Sequence, residues 1–446
     1  MGLTIKDILH NNARQLLHLE TEPGLGCTEP AAIGLCAATA AALLPPGDID
    51  SLTVETDPNI YKNAMGVIIP HSDETSGVDL AAAMGATAGD PAKKLEVFAT
   101  VDKEGLARAR RLLAQGRVTA SIAPDAQGLF VRVTLVSGGR TAQAVVSGCH
   151  DNVSSRTLDG QEVAAPGAAQ AGGASETLLP ELQEWLLGMT LADLVHILDD
   201  MDASDLRYVR EGLDLNLALV DHGLSRGPGI AVGRTLLGLL RRGLLQKDMA
   251  QWAAIRTAAG IDSRMGGVPL PAMTLAGSGN QCIAAGIPVI SAAQYLTLED
   301  EGLALKAVML SYLVTCCIKA GVGRLSCLCG SGVAGGAGVA AAVAYMMAGS
   351  AEAVGGAVKN HIACFTPVVC DGAKTSCALK VGELAGAAVR NALLAISGCV
   401  VRSTDGIVDA SPEQTMRNLS QVVRTGLTGL DPAILDVMLA KQKAGA

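Results

Sequence analysis

A chain of 446 residues is long enough for two or three domains and for a core that folds without disulfides or metals to hold it together. Its composition is 49% hydrophobic but only 2% aromatic, with 52 glycines, which calls for a core of Ala, Val, Leu, Ile and Met in which backbones approach closely. The formal charge of −9 leaves no basic cluster to neutralise a run of phosphates, so the expected partner is a small molecule and not a nucleic acid.

The chain opens with MGLTIKDILHNNARQLLHLE, where Asp, His, Asn and Glu interrupt any apolar run; no export signal is expected, and the setting is read as cytoplasmic. Residues 4–45 read as two helices around TEPGLGCTEP. Cys27 immediately precedes Thr28, Glu29 and Pro30, the pattern of an N-cap with an acid and a proline in the first turn. A thiol at a helix N-terminus is expected to ionise more readily than the core-facing Cys36.

From about residue 50 the pattern alternates, and SLTVETD, LEVFATV, RVTASIA, LFVRVTLVS and TAQAVVSG are predicted strands, closing near SGCHDN. Residues 160–176, GQEVAAPGAAQAGGASE, lack periodicity and read as a mobile linker. Helical spacing resumes after Leu178. The fold class expected is α+β: residues 1–49 and 178–446 form a mostly helical catalytic domain with glycine-rich turns, and residues 50–177 form an inserted, smaller strand-containing domain ending in a flexible linker. The stretch from Leu325 to Ala351 carries no charge, but its GSGVAGGAG core suits tight helix packing better than lipid contact, so no membrane partner is expected.

Twelve cysteines in a reducing compartment point to metal binding or catalysis more than to disulfides. Cys370 and Cys377, in CFTPVVCDGAKTSC, and Cys327 and Cys329, in SCLCG, form the densest group, and soft thiolates select zinc, copper(I) or an iron-sulfur cluster. No CxxC spacing supports a zinc finger or a ferredoxin-type run. Buried cysteines also act as small apolar residues, which is the reading for Cys36, Cys316, Cys317 and Cys399; Cys149 and Cys364 stay open. In GSGNQ, Ser278, Gly279, Asn280 and Gln281 offer exposed N–H groups, a hydroxyl and amides to a carboxylate, or form a plain capping turn. In PNIYKNAMGVIIP, Asn59, Lys62 and Asn63 offer polar groups beside a strand, with Lys62 either neutralising an anionic substrate or solvated.

Taken together, PGLGCTEPAAIGL, PNIYKNAMGVIIP, SGCHDN, GSGNQ, GVGRLSCLCGSGVAGGAGVAAA and VVCDGAKTSCALK resemble the iron-sulfur dependent L-cysteine desulfidases, or cysteine desulfhydrases, relatives of the L-serine dehydratase alpha chain. The resemblance runs from about residue 20 to the C-terminus. It implies a 4Fe-4S cluster on three cysteines, Cys370, Cys377 and Cys329 (chosen over Cys327), with one iron open to substrate. It implies an acid-base role for Cys27. Thr28, Glu29, Asn59, Lys62, Asn63, Ser278, Gly279, Asn280 and Gln281 are the matching candidates for substrate binding. The implied reaction is β-elimination from L-cysteine, giving hydrogen sulfide, pyruvate and ammonia, with Cys27 as thiolate base. The alternative is L-serine dehydration, and a non-catalytic iron-sulfur sensor or membrane carrier is the reading from another class. The expected partner is a small amino acid, with a homo-oligomer as an option. Two departures from the pattern are CFTPVVC and GNQC; the latter adds Cys282 as a competing ligand.

Overall fold

Helices that are buried on every face make up the centre of the C-terminal half of the chain, where small and apolar residues fill all sides. The computed structural model describes residues 5–123, 126, 128–164, 172–366 and 368–445. Helices α1 (Ile5–Glu20), α2 (Thr28–Ala41), α3 (Pro58–Ala64), α4 (Val78–Ala88) and α5 (Lys103–Ala114) accompany the strands of the first part. After them come α6 (Gly172–Gly188), α7 (Leu191–Asp199), α8 (Arg207–Arg226), α9 (Val232–Arg241), α10 (Met249–Met265) and α11 (Gly279–Tyr295). The series ends with α12 (Glu301–Val322), α13 (Gly330–Ala348), α14 (Ala351–Phe365), α15 (Cys377–Ile396), α16 (Pro412–Gln421) and α17 (Leu430–Gly445).

Helices α10 to α13 form the centre of the larger core, with α8, α14 and α15 packed around them. Glycine permits the closest approaches. A Cβ at Gly338 of α13 would overlap the Ser311 carbonyl of α12, and one at Gly336 would overlap the ring of His361 on α14. Helices α12 and α13 are long and apolar enough to cross a membrane, yet 83% of each apolar window is buried inside the protein. Both tryptophans belong to this part: Trp185 packs against its core, and Trp252 on α10 lies under Lys247 and Arg256.

The second core lies between a six-stranded sheet and helices α2 and α4. Strands β2 (Ser51–Thr56), β3 (Val118–Ile122), β4 (Phe130–Ser137), β5 (Arg140–Ser147), β6 (Val153–Leu158) and β7 (Gln161–Glu162) are ordered β3-β2-β4-β5-β6-β7. All pairs are antiparallel except β2 with β3. The chain is therefore α+β, mostly helical with an inserted strand-containing unit. A separate ribbon pairs β1 (Pro23–Leu25) with β8 (Pro271–Met273).

Two local expectations change. LEVFATV is not a strand but part of a 3-10 helix, Pro91–Thr100, started by Asp90, whose carboxylate accepts the Ala92 N–H. Burial of Leu95, Val97 and Phe98 imitates alternation in the sequence. The predicted linker 160–176 contains β7 and the start of α6, and residues 165–171 lie outside the described residues. PNIYKNA, directly after β2, forms helix α3, with Pro58 at its first turn and Asp57 as N-cap.

Candidate active site

Two short backbone pairings bring distant motifs to one cavity. The β1–β8 ribbon places the Cys27 turn beside the 277–281 turn, because each follows its strand directly. Both turns rely on glycine in the left-handed region, Gly26 at φ 72° and Gly277 at φ 83°, and a Cβ at Gly26 would lie 2.6 Å from Pro70. The second pairing is an isolated bridge between Leu328 and Val369. Around it Cys329 donates its N–H to Val368 O (2.9 Å) and Cys370 donates to Cys327 O (2.7 Å), joining SCLCG to CDGAKTSC.

The resulting cavity has a volume of about 100 Å³ and sits where the two cores meet. Cys27, Glu29 and Asn63 line it from one side; Ser278, Asn280 and Gln281 from a second; Cys329, Cys370 and Cys377 from a third. Four of the sequence candidates stand behind this wall. Thr28 donates its hydroxyl to Glu29 Oε2 (3.1 Å), Asn59 donates its N–H to Asp57, and Gly279 lies against the Arg264 guanidinium. Lys62 is buried and unsolvated: Nζ contacts Asp431 Oδ1 (2.6 Å) on α17 and Cys370 O (3.2 Å), so it anchors the cysteine loop to the C-terminal helix.

Cys27 departs from the ionised thiol expected at a helix start. It is buried, and its Sγ donates to Glu29 Oε2 at 2.9 Å. Burial, then the neighbouring Glu29 charge, pushes the thiol well above its ordinary value, outweighing the helix terminus. Burial alone would raise Glu29 as well, but His150 and the Cys27 hydrogen bond hold it below its ordinary value. His150 is itself pushed down to about 4 by burial, so near neutrality the donors Cys27, Thr28 and Asn63 Nδ2 (2.9 Å to Oε1) keep Glu29 ionised.

Sequence reasoning missed Arg264, Lys319 and Arg324, all of which line the cavity. Arg264 is 2% exposed, and its Nε and Nη2 have no hydrogen-bond partner. Facing the same cavity, Asn280 Oδ1 and Asn63 Oδ1 are also unpartnered acceptors. Their amide orientations are set by the other end, since Asn63 Nδ2 donates to Glu29 and Asn280 Nδ2 to Met265 Sδ (3.2 Å). Lys319, the lone cation within an apolar stretch of α12, is pushed down to about 8 by burial and donates to Arg324 O (2.9 Å). A charge isolated in so apolar a helix was the available signal for it.

Among the described residues no group of three or more His, Cys, Asp or Glu side chains surrounds a single point as one metal ion requires. A multi-iron cluster makes a different demand, one thiolate for each of several irons around a shared space. Cys329, Cys370 and Cys377 meet that demand in donor type: all are sulfur and share one cavity wall. The Cys329 thiol is pushed up to about 12 by burial, then by Cys370 and Cys377. Cys327 does not line the cavity; burial and then Asp431 raise its thiol. Cys282 is buried and bonds to Tyr312 Oη (3.3 Å), away from this wall. Cys399, read as core, is exposed, as is Cys364.

The structure is that of a mostly helical α+β protein with a small, cysteine-lined cavity, and the comparisons place it in a family. The family described as serine dehydratase alpha chain matches residues 93–436. The chain is 44% identical over 444 residues to a UPF0597 protein of Desulfatibacillum aliphaticivorans, covering 99% of both chains. It is 42% identical over 445 residues to the UPF0597 protein of Desulforapulum autotrophicum (99% and 98% covered) and 41% identical over 435 residues to that of Desulfotalea psychrophila (97% and 99%). The chain belongs to the serine dehydratase alpha chain family.

Proposed function

We propose that the protein is a β-eliminating lyase for a small L-amino acid, with L-serine as the first substrate, giving pyruvate and ammonia. The observation that carries this reading is the buried Arg264, whose two unpartnered N–H groups face a cavity that also holds two unpartnered amide oxygens. Such buried groups are costly unless a ligand completes them. A guanidinium suits a carboxylate, and the oxygens of Asn63 and Asn280 suit an ammonium group. An α-amino acid carries both, and a volume of about 100 Å³ leaves room for a short side chain only.

Cys27 and Glu29 hold one proton between them. When it sits on Glu29, the Cys27 thiolate is the base for the substrate's α-proton; afterwards the pair can return a proton to the departing group. With a 4Fe-4S cluster held by Cys329, Cys370 and Cys377, the site would gain a Lewis acid for the β-substituent. Loss of water from L-serine leaves aminoacrylate, which hydrolyses to pyruvate and ammonia.

A second reading is elimination of sulfide from L-cysteine. It is favoured by the PGLGCTEP turn around Cys27, which resembles the desulfidases, and by the sulfur-rich wall that suits a soft substituent. The test is pyruvate release from L-serine and L-cysteine by anaerobically purified, iron-loaded protein. Turnover of L-serine alone supports the first reading, and L-cysteine alone replaces it with the second. No pyruvate from either would refute both.

A further inference from the structure

A second cavity, of about 350 Å³, lies across α12 from the catalytic one. Cys317, Ala320 and Gly321 share one face of the helix at i, i+3 and i+4 and line this second space, whereas Lys319, between them in sequence, lines the first. Its volume falls in the range of small-molecule sites. The walls are divided by chemistry. Met416 and the half-buried Met189 make an apolar floor; Leu187, Arg417 and Arg424, all exposed, stand at the rim.

Neither arginine is fully engaged. Arg417 donates Nε to Gln414 Oε1 (3.0 Å), and Arg424 donates Nη2 to Ala320 O (3.3 Å). Among the described residues neither forms an ion pair. The one acid in the wall, Glu413, has both oxygens occupied, by the Leu191 N–H (2.9 Å) and the Ser411 hydroxyl (2.5 Å). With two arginines against this single carboxylate, the charged groups lining the cavity carry a net positive charge, which favours an anion over an ammonium group. Arg424 lies in a π-helical turn, Val422–Gly426, a helix irregularity that is frequent at functional sites.

We propose that this cavity binds a small aliphatic monocarboxylate, with its chain on the apolar floor and its carboxylate between Arg417 and Arg424. The inference stands independently of the catalytic reading, because binding requires neither turnover nor metal.

The test is calorimetric titration of the full-length protein with propanoate, butanoate, pentanoate and hexanoate, with hexylammonium as the charge control. Affinity should rise about fourfold per added methylene until the floor is filled. Arg417→Gln and Arg424→Gln should each weaken hexanoate at least tenfold, and Ser420→Phe, which fills the space, should abolish binding. Both arginines are exposed, so these variants should fold normally, as circular dichroism would verify. Affinity independent of chain length, equal binding of hexylammonium, or undiminished binding by both arginine variants would each overturn the proposal.

Discussion

The thiol of Cys27 and the guanidinium of Arg264 allow separate tests because they serve different ends of a substrate. Arg264→Gln removes charge-assisted hydrogen bonds to a carboxylate, each worth about 1.5–3 kcal/mol, so kcat/KM should fall by a factor of about 10 to 100, largely through KM. Iron content should stay unchanged. Cys27→Ser keeps a donor to Glu29 but cannot ionise in the accessible range, so kcat should fall by about 10² to 10⁴ with iron retained. Near-normal turnover of the serine variant would remove Cys27 from the chemistry; lost iron would make it a ligand. At this scale the sequence was partly legible. Cys27, Glu29, Asn63 and the 278–281 turn stood out because each motif mixes polar groups with glycine or proline. Arg264 did not, since IDSRMGG reads as an ordinary helix end until its side chain is found buried without a partner.

Between elements, the contact most open to test is Lys62 with Asp431, which joins α3 to α17 and holds the Cys370 backbone. Removing one member of a buried pair typically costs about 3–5 kcal/mol, because the remaining charge is uncompensated. Asp431→Asn should therefore lower the melting temperature and speed the reaction of Cys370 with a thiol reagent. Pairing it with Lys62→Met should recover part of the loss, and equal labelling rates in wild type and Asp431→Asn would show that α17 does not restrain the loop. On α13, Gly338→Ala presses a methyl into the Ser311 carbonyl of α12, and overpacking of this kind costs about 1–3 kcal/mol, readable in a chemical denaturation curve. An unchanged midpoint would mean that the two helices can part without loss. Element type was legible wherever the period was clear, as in α1, β4 and β5. It failed where three closely spaced apolar residues in a 3-10 helix copied a strand, and at β6, whose VSSRTL has too few apolar positions to alternate.

Across the whole molecule, groups shifted in opposite directions shape the response to acid. His150 and His361 are each pushed down to about 4 by burial, so between pH 6.5 and 4 the unfolded chain binds protons that the folded chain refuses. That contribution is lost as pH falls. Glu22, raised to about 7 by burial and then Asp151, and Asp262, raised to about 6 by burial, work the other way: the folded chain keeps protons that the unfolded chain has released, and their contribution is lost as pH rises. The two sets offset between about pH 4.5 and 6. Glu22→Gln should therefore melt above wild type at pH 8, with the gain gone by pH 4.5. A difference independent of pH would sink this account. The α+β class was legible from the switch between alternating and helical spacing. The meeting of the motifs in one cavity was not, because it depends on two short pairings, β1 with β8 and Leu328 with Val369, whose sequences carry no register signal.

The placement of the two tryptophans has an optical consequence. With Trp185 and Trp252 both in the helical part and none in the sheet unit, intrinsic indole fluorescence reports on one core alone. Far-ultraviolet circular dichroism registers backbone from both. Superimposable urea curves from the two signals would mean that the cores unfold together and that the cavity between them is lost in a single step. A dichroism change without a fluorescence counterpart would reveal a fluorescence-silent melting of the sheet unit, in which Glu29 on α2 and Asn63 on α3 leave the site while the indole emission still looks native.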